Sequence, residues 1–593
     1  MKINPRSKAL MQNIYLKLFL SSMIAIFFGN LGQIVGSMIV GNAISGDKLA
    51  IISLALPVYY AFATVGNLAG IGGGTLAAKH LGRGDTDKCN KTYTVTYLFT
   101  IAVSVLLAIL IIVLLPVLVP FLGAGGVLYD DLYNYAFAMS AGGVFIALAY
   151  LSFNFLRLDG NAVATTMSFV VMAAVNIIFD FLLLLIIPIG VVGVASATCI
   201  GAAASSLFGY LYIKLKSAAI SPVRVSMNDF KKYSIKICRI GAPGGIENVA
   251  ILLRSYFLNQ IILSFAGEMA LSSLAVVNSV NSFAQAIIAG AAGALVPLLG
   301  VFIGEKDNTN IRRIEMSAYL MGAIFLAVFM GIVIGFAPFV SVLFGMTDYE
   351  GTIMAIRIFS LSLPFCLISN IMLYSHIADG HSAIASLMTL FRNFAISLLS
   401  AFVLMKLYGE VGLWVSYSVC EIITILAGLI CHAILRIRHK NLSFFLLLDR
   451  NVDKDSEEYS CVMLNYKEQI GGLSENIEAF CERMELLPKQ TMLINLALEE
   501  LLVAIAAHTP ESDIERAVSI RIFVYKDIIV MRLRYAGDLF NPIAYYESLR
   551  NDENNVDALL ELDDSLGIKM ITDTAENVDY RLTFGINNLT VIL

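Results

Sequence analysis

Apolar residues fall in long blocks along most of this chain. Blocks of spanning length cover 14–42, 50–79, 92–120, 130–156, 162–187, 191–216, 238–265, 271–303, 314–343, 351–377, 383–407 and 410–436. A bilayer crossing needs about 20 such residues. Several blocks are longer, so their ends project or tilt. Basic residues gather in every second connection. Lys2, Arg6, Lys8 and Lys17 precede the first block, and Lys79, Arg83, Lys88 and Lys91 follow the second. Lys214, Lys216, Arg224, Lys231, Lys232, Lys236 and Arg239 lie between the sixth and seventh. Lys306, Arg312 and Arg313 follow the eighth, and Arg436, Arg438 and Lys440 follow the twelfth. Lys48 and Lys406 stand out in the alternate loops. Twelve spans with both termini in the cytoplasm satisfy this pattern. The basic N-terminus lacks a small-residue cleavage site after a short apolar region, which predicts an uncleaved first span.

The pattern also repeats. "GGGTLAAKHLGRGDTDK" (72–88) and "ALVPLLGVFIGEKDNTN" (294–310) each close an apolar helix with Gly-x-x-Asp before a basic loop. The marker residues are Gly82 and Asp85 in one, Gly304 and Asp307 in the other, 222 positions apart. Gly-rich "GNLAGIGGG" and "GAPGGIENV" permit close helix approach. Two six-helix halves, 1–216 and 238–440, joined by the basic linker 217–237, are the expected layout. Repeat-built membrane proteins of this kind are typically transporters.

After about residue 445 the blocks stop and charges become frequent. "NIEAFCERMELLPKQTMLINLALEELLVAIAAH" predicts two amphipathic helices. "AVSIRIFVYKDIIVMRLRYAG" predicts two strands about a Lys-Asp turn. "SLGIKMITDTA" predicts a helix, and "VDYRLTFGINNLTVIL" a hairpin turning near Gly585–Asn588. The expected fold class is an all-α polytopic membrane protein, twelve helices in two six-helix lobes, with a cytoplasmic α/β two-layer domain over 445–593.

Composition sharpens this picture. The 593 residues are 58% hydrophobic and 14% charged, where soluble chains carry about 25% charged residues. The net charge of −5 decides little beside the loop asymmetry. Eight cysteines show no CxxC and no Cys/His cluster, so neither a disulfide framework nor a metal site is expected. Cys199, Cys366, Cys420 and Cys431 lie in apolar runs and read as small hydrophobes. No G-x-x-x-x-G-K-[ST] phosphate loop occurs, and "GIGGGTLAAKHLG" is assigned to helix packing.

Polar groups inside apolar blocks carry the candidate chemistry, because a charge there costs about 2.5–3.5 kcal/mol on insertion scales. Asn176 and Asp180, four apart in "AVNIIFDFLLLLIIPIG", share a helix face, and Thr198 lies on the next span. Carboxylate, amide and hydroxyl oxygens suit a proton or Na⁺; a residue near the surface, or hydrogen-bonded between helices, is the plainer alternative. Glu247 and Arg254 share one face seven apart, with a structural ion pair as the plainer reading. Glu421 reads as a second isolated acid, and Arg392, His376, Asp379 and His381 as an interfacial cluster about a short loop. Tyr135, Phe153, Phe283 and Trp414 are candidate cavity walls, though any one of them more often packs helices.

These features together resemble the MATE (multidrug and toxic compound extrusion) transporters over nearly all of 10–440. The matching stretches are "GGGTLAAKHLGRGDTDK", "FLRLDGNAVATTMSFVVMAAVNIIFD", "GVVGVASATCIGAAASS" and "GAPGGIENVAILLRSYFLNQIILSFAG". The resemblance implies two lobes about a central cavity, and export of amphipathic, often cationic compounds against Na⁺ or H⁺. It places the coupling cation at Asn176 and Asp180, with Thr198 and Tyr135. The family's first-helix Asp is replaced by Gly36 in "IVGSMIVG".

Residues 460–593 resemble the GHKL-type ATP-binding domains of anti-sigma-factor kinases, through "ALEELLVAIAAH", "RYAGDLFNP" and "SLGIKMI". Glu500, Gly537, Asn541 and Gly567 match positions of that nucleotide site, with Phe540 and Pro542. Ala504 replaces the Mg²⁺ amide, Tyr535 the adenine-reading Asp, and Ser565 a lid glycine. A pseudo-ATPase is expected, with nucleotide binding lost or weakened.

The expected function is secondary active efflux, with no enzymatic activity, no cofactor beyond the coupling ion and no nucleic-acid partner. The expected partners are a small-molecule substrate, membrane lipid and a cytoplasmic protein docking on the last domain. The expected location is a bacterial inner membrane. Two alternatives share the scaffold. One is a flippase of lipid-linked substrate, for which Arg157, Arg254 and Arg392 are the candidate diphosphate contacts. The other is a membrane sensor signalling through its cytoplasmic domain.

Overall fold

The computed structural model describes residues 12–29, 46–83, 85–122, 128–159, 161–187, 189–217, 220–304, 307–343, 350–438, 457–463, 466–508, 518–525, 528–536, 540–551, 566–583 and 586–593. Gly36, Gly537 and Ser565 lie outside them. The chain divides into two compact units, Tyr15–Leu448 and Asp449–Leu593 with Met1–Ile14.

Helices alone build the larger unit, as they must where no water satisfies the backbone. They are α1 (Gln12–Gly29), α2 (Gly46–Gly82), α3 (Thr86–Phe121), α4 (Leu128–Asp159), α5 (Ala162–Phe181), α6 (Val191–Lys216) and α7 (Met227–Phe265). There follow α8 (Gly267–Gly304), α9 (Asn308–Gly335), α10 (Ala337–Leu343), α11 (Glu350–Ser360), α12 (Leu363–Asp379), α13 (Ser382–Leu390) and α14 (Ile396–Arg438). Ten helices among the described residues are long and apolar enough to cross a membrane, or eleven with the bent pair α11–α12. On α9, Leu320, Ile324, Val328 and Ile332 recur every fourth residue and are each more than half exposed. Such an apolar stripe is unfavourable in water and natural against lipid. The chain is a multi-pass membrane protein.

Several expected spans are interrupted. The block 162–187 leaves α-helix at Phe181 and continues as a π-turn, Leu182–Ile186. The block 351–377 bends by 40° between α11 and α12. A second π-turn, Phe391–Ala395, separates α13 from α14. Within α14 the backbone breaks at Gly409 (φ 60°, ψ −139°). That left-handed φ is open to glycine and strained for other residues. The break falls where the blocks 383–407 and 410–436 meet.

The repeat reappears as geometry. Asp85 caps α3 by accepting from the Lys88 N–H at 3.1 Å, and Asp307 caps α9 from the Asn310 N–H at 3.1 Å. The backbone angles agree, φ −98° and ψ 76° against φ −92° and ψ 75°. The two marker glycines also meet. A Cβ on Gly82 would sit 2.0 Å from the Val301 carbonyl oxygen, and one on Gly304 2.6 Å from the Lys79 carbonyl oxygen. Val301 precedes Gly304 by the same three residues by which Lys79 precedes Gly82. The α2–α8 crossing is therefore reciprocal and made backbone to backbone.

The smaller unit holds β1 (Glu457–Met463), α15 (Tyr466–Arg483), α16 (Pro488–Ala507), β2 (Val518–Tyr525), β3 (Ile528–Ala536), α17 (Pro542–Asn551), α18 (Leu566–Thr574), β4 (Asn577–Thr583) and β5 (Ile586–Ile592). Its antiparallel sheet has the order β1-β2-β3-β5-β4. Alternation sends Ile520, Ile522, Met531, Leu533, Leu589 and Val591 to one face, against Ile477, Phe480, Leu498 and Leu501 of the helices. So α16, apolar enough to count among the ten, serves here as the core helix of a small α/β unit. The last hairpin turns earlier than expected. Strand β5 resumes at Ile586, and Asn587 and Asn588 pair with Leu582 and Arg581. Strand β1 and helix α17 were not signalled by the pattern of the chain.

Candidate functional site

Asp180 closes the last regular turn of α5, with Asn176 one turn before it. Asp180 is 1% exposed. Its Oδ1 and the Asn176 Nδ2 are buried without a hydrogen-bond partner. Gly201 of α6 lets the helices close up here: a Cβ at that position would meet the Met172 carbonyl at 2.7 Å and the Asn176 Cβ at 3.0 Å. Tyr135 of α4 is buried in the adjoining core and lies within electrostatic reach of Asp180. Thr198 donates to the Val194 carbonyl of its own helix at 3.0 Å. The set thus offers one carboxylate oxygen and one side-chain amide with unmet hydrogen-bonding capacity. Half a turn of the amide brings its carbonyl oxygen to the same place.

Glu421 is not an isolated acid. Arg392, on the second π-turn, donates from Nε to Glu421 Oε1 and Oε2 at 2.9 and 3.0 Å, and Ser369 also donates to this carboxylate. Arg392 reaches the Cys366 Sγ through Nη2 at 3.2 Å, and the Cys420 thiol donates to the Arg392 carbonyl at 3.3 Å. These two cysteines hence act as polar partners as well as packing. Glu247, Arg254 and Glu421 line one cavity of about 200 Å³ with Arg392 and Gln285. Arg254 sits over the Tyr417 ring, 5.9 Å from its centre. The expected loop cluster separates accordingly. Arg392 belongs to this cavity, His381 Nδ1 pairs with Asp379 at 2.7 Å, and His376 meets His432 Nε2 to Nε2 at 2.8 Å. His376, His432 and Glu315 line a separate cavity of about 290 Å³.

A third cavity, of about 200 Å³, lies among α1, α2, α4, α5, α8 and α12. Tyr59, Asn67, Tyr150, Asn154, Arg157 and Tyr374 give it polar walls, and Phe153 is one of its apolar ones. Trp414 is 1% exposed in helix packing, and Phe283 packs on Phe27.

In the smaller unit, Glu500 Oε2 accepts the Ile568 N–H at 2.8 Å, fixing the first turn of α18, which contains Gly567. Asn541 Oδ1 accepts the Ile543 N–H at 3.1 Å and so caps α17. The Tyr535 hydroxyl donates to the Phe540 carbonyl at 2.7 Å. Among the described residues no group of three or more His, Cys, Asp or Glu side chains could hold a metal ion.

Residues 21–207 match the family model MatE. The N-terminal part of the membrane unit is thus similar to this family. Multidrug export protein MepA of Staphylococcus aureus (strain NCTC 8325 / PS 47) is 25% identical over 441 residues, 73% of this chain and 95% of the relative. MepA of Staphylococcus saprophyticus subsp. saprophyticus is 24% identical over 433 residues, 72% of this chain and 94% of the relative. An outward-facing multidrug resistance MATE family transporter of the MOP superfamily superposes with a TM-score of 0.67 at 20% identity, over 73% of this chain and 97% of that one. A MOP superfamily transporter from Pyrococcus furiosus, described by the reverse polarity of its binding pocket, gives 0.65 at 19% identity, over 72% and 97%. About a quarter of the chain has no counterpart in these relatives. The Staphylococcus relatives are named export proteins, and the membrane unit shares the fold of the solved MATE transporters.

Proposed function

We propose that the chain exports amphipathic, often cationic small molecules by alternating access, in antiport with H⁺ or Na⁺, with the coupling ion at Asp180 and Asn176. The observation that carries this is the enclosed carboxylate. An unpaired charge at that depth is expensive, whereas a bound proton or Na⁺ neutralises it. Occupancy would then favour whichever arrangement of the helices encloses the site. Tyr135 belongs to the wall of this site, and Thr198 to its neighbouring helix. Glu247, Arg254 and Glu421 are the corresponding candidates in the second half. The names of the Staphylococcus relatives support export as the direction. With Gly36 in place of an acid, Asp180 is the N-terminal half's main coupling group. In purified protein reconstituted into vesicles, Asp180→Asn should abolish substrate-driven ion counterflow; a folded variant with unchanged counterflow overturns the assignment.

Two lobes of six helices would be the architecture of such an exporter. Counting α14 as two spans across Gly409, α11–α12 as one and the charged α7 as one gives the twelve expected. Both termini would be cytoplasmic. The smaller unit would be a regulatory pseudo-ATPase: its Glu500 is engaged with backbone, and Ala504 and Tyr535 stand where Mg²⁺ and adenine contacts belong.

A further inference from the structure

Arg157 has no function in the scheme above. It sits near the end of α4, is 6% exposed, and lines the third cavity, among α1, α2, α4, α5, α8 and α12. Its guanidinium lies over the Phe153 ring, 3.9 Å from the centre. On another side it meets α8: a Cβ on Gly293 would fall 2.4 Å from Nη1. The ring and the glycine fix the position of the fork. Nε and Nη2 are nevertheless buried with no hydrogen-bond partner. Burying a guanidinium without an anion costs several kcal/mol, so a side chain kept for packing alone would be expected to find a carbonyl or a carboxylate. No Asp or Glu is among the described residues that line the cavity. The Tyr59 and Tyr150 hydroxyls share a hydrogen bond at 3.3 Å and Asn154 Nδ2 donates to the Tyr150 carbonyl at 3.0 Å, while Tyr374 and Asn67 add a phenol and an amide that can donate. Ile26, Ile71, Phe169 and Met172 complete an apolar wall.

A cationic guest would meet a fixed positive charge here. We infer that this cavity binds an oxyanion, a carboxylate, sulfonate or phosphate borne on an apolar body, with the Arg157 fork donating to its oxygens. The transported class then includes anionic or zwitterionic amphiphiles. This rests on the export reading and changes the charge of its substrate at this cavity from cationic to anionic or zwitterionic. The preference follows from guanidinium chemistry. Nε and one terminal nitrogen present parallel N–H bonds that match two oxygens of one anionic group.

The test uses two xanthene dyes of similar skeleton and opposite charge, 5-carboxyfluorescein and rhodamine 123. Binding is read by fluorescence polarisation on the full chain in lipid nanodiscs. The wild type should bind carboxyfluorescein about tenfold or more tightly than rhodamine 123, and Arg157→Gln should lose at least about tenfold on carboxyfluorescein alone. Arg157→Lys should recover part of that loss. Gly293→Ala keeps the charge but displaces the fork, and should weaken carboxyfluorescein by about threefold or more without affecting rhodamine 123. It decides the matter if Arg157→Gln does not fold. Equal carboxyfluorescein affinity in wild type, Arg157→Gln and Gly293→Ala overturns the inference, as does failure of the wild type to bind that dye. Vesicle export under an imposed ion gradient separates the two readings. Rhodamine 123 exported without carboxyfluorescein binding removes the anion site and leaves export standing. Arg157-dependent carboxyfluorescein binding with no movement of either dye removes export and leaves the anion site.

Discussion

Arg392 and Glu421 lie 29 residues apart on different helical segments, joined by two hydrogen bonds from one Nε. Helical spacing reveals neighbours on one helix face, not which helices pack together, so Glu421 read as isolated and Arg392 as part of a loop. Glu421→Gln should destabilise the membrane unit by about 3–5 kcal/mol, because the buried arginine would lose the carboxylate it hydrogen-bonds; thermal unfolding in detergent measures it. Arg392→Met with Glu421→Leu should recover much of that loss. Asp180 and Asn176 were legible because both sit on one helix within one turn. Arg157 was legible as a charge, though not as an unpaired one, since that depends on what the facing helices fail to supply. His381, in the loop between α12 and α13, gives a pH signature. Its hydrogen bond with Asp379 raises its pKa above the ordinary histidine value, burial opposing. The pair therefore stabilises the fold fully below the unfolded value, and this stability is lost as pH rises through the folded one. The melting-temperature deficit of His381→Gln should be larger at pH 5.5 than at pH 9.

At the scale of elements, the α2–α8 crossing is the contact most exposed to small changes. Gly304→Val would drive a branched side chain against the Lys79 carbonyl, 2.6 Å from where its Cβ must stand. Overpacking of this kind costs about 1–3 kcal/mol where relaxation is possible. Backbone on both sides leaves little room to relax, so a fall in melting temperature and in vesicle export is expected, and Gly82→Val should match it. The repeat was legible through four residues, Gly82, Asp85, Gly304 and Asp307, because a helix that ends on glycine and restarts on a capping aspartate leaves a fixed spacing in the chain. The π-turns after Phe181 and Leu390 were not legible, since one extra residue in a turn leaves an apolar run unchanged. Strand β1 and helix α17 were missed for a related reason: both are short and depend on neighbouring strands and helices for partners.

For the molecule as a whole, apolar blocks give way to mixed charge after about residue 445 in the sequence, and the compact units divide between Leu448 and Asp449. Titrating the full chain in nanodiscs with MgATP should give no binding heat, given Ala504 and Tyr535; saturable Mg²⁺-dependent heat would reject the pseudo-ATPase reading. The reciprocal glycine crossing carries a mechanical consequence. Two rods held closest near one end, here around Gly82, Gly300 and Gly304, behave as levers about that end. From Gly82 back along α2, twenty residues reach about 30 Å, so a rotation of about 10° moves the far end by about 5 Å while the glycines barely shift. On the alternating-access reading proposed above, a small change of angle at Gly82 and Gly304 would be magnified at the opposite end of these helices.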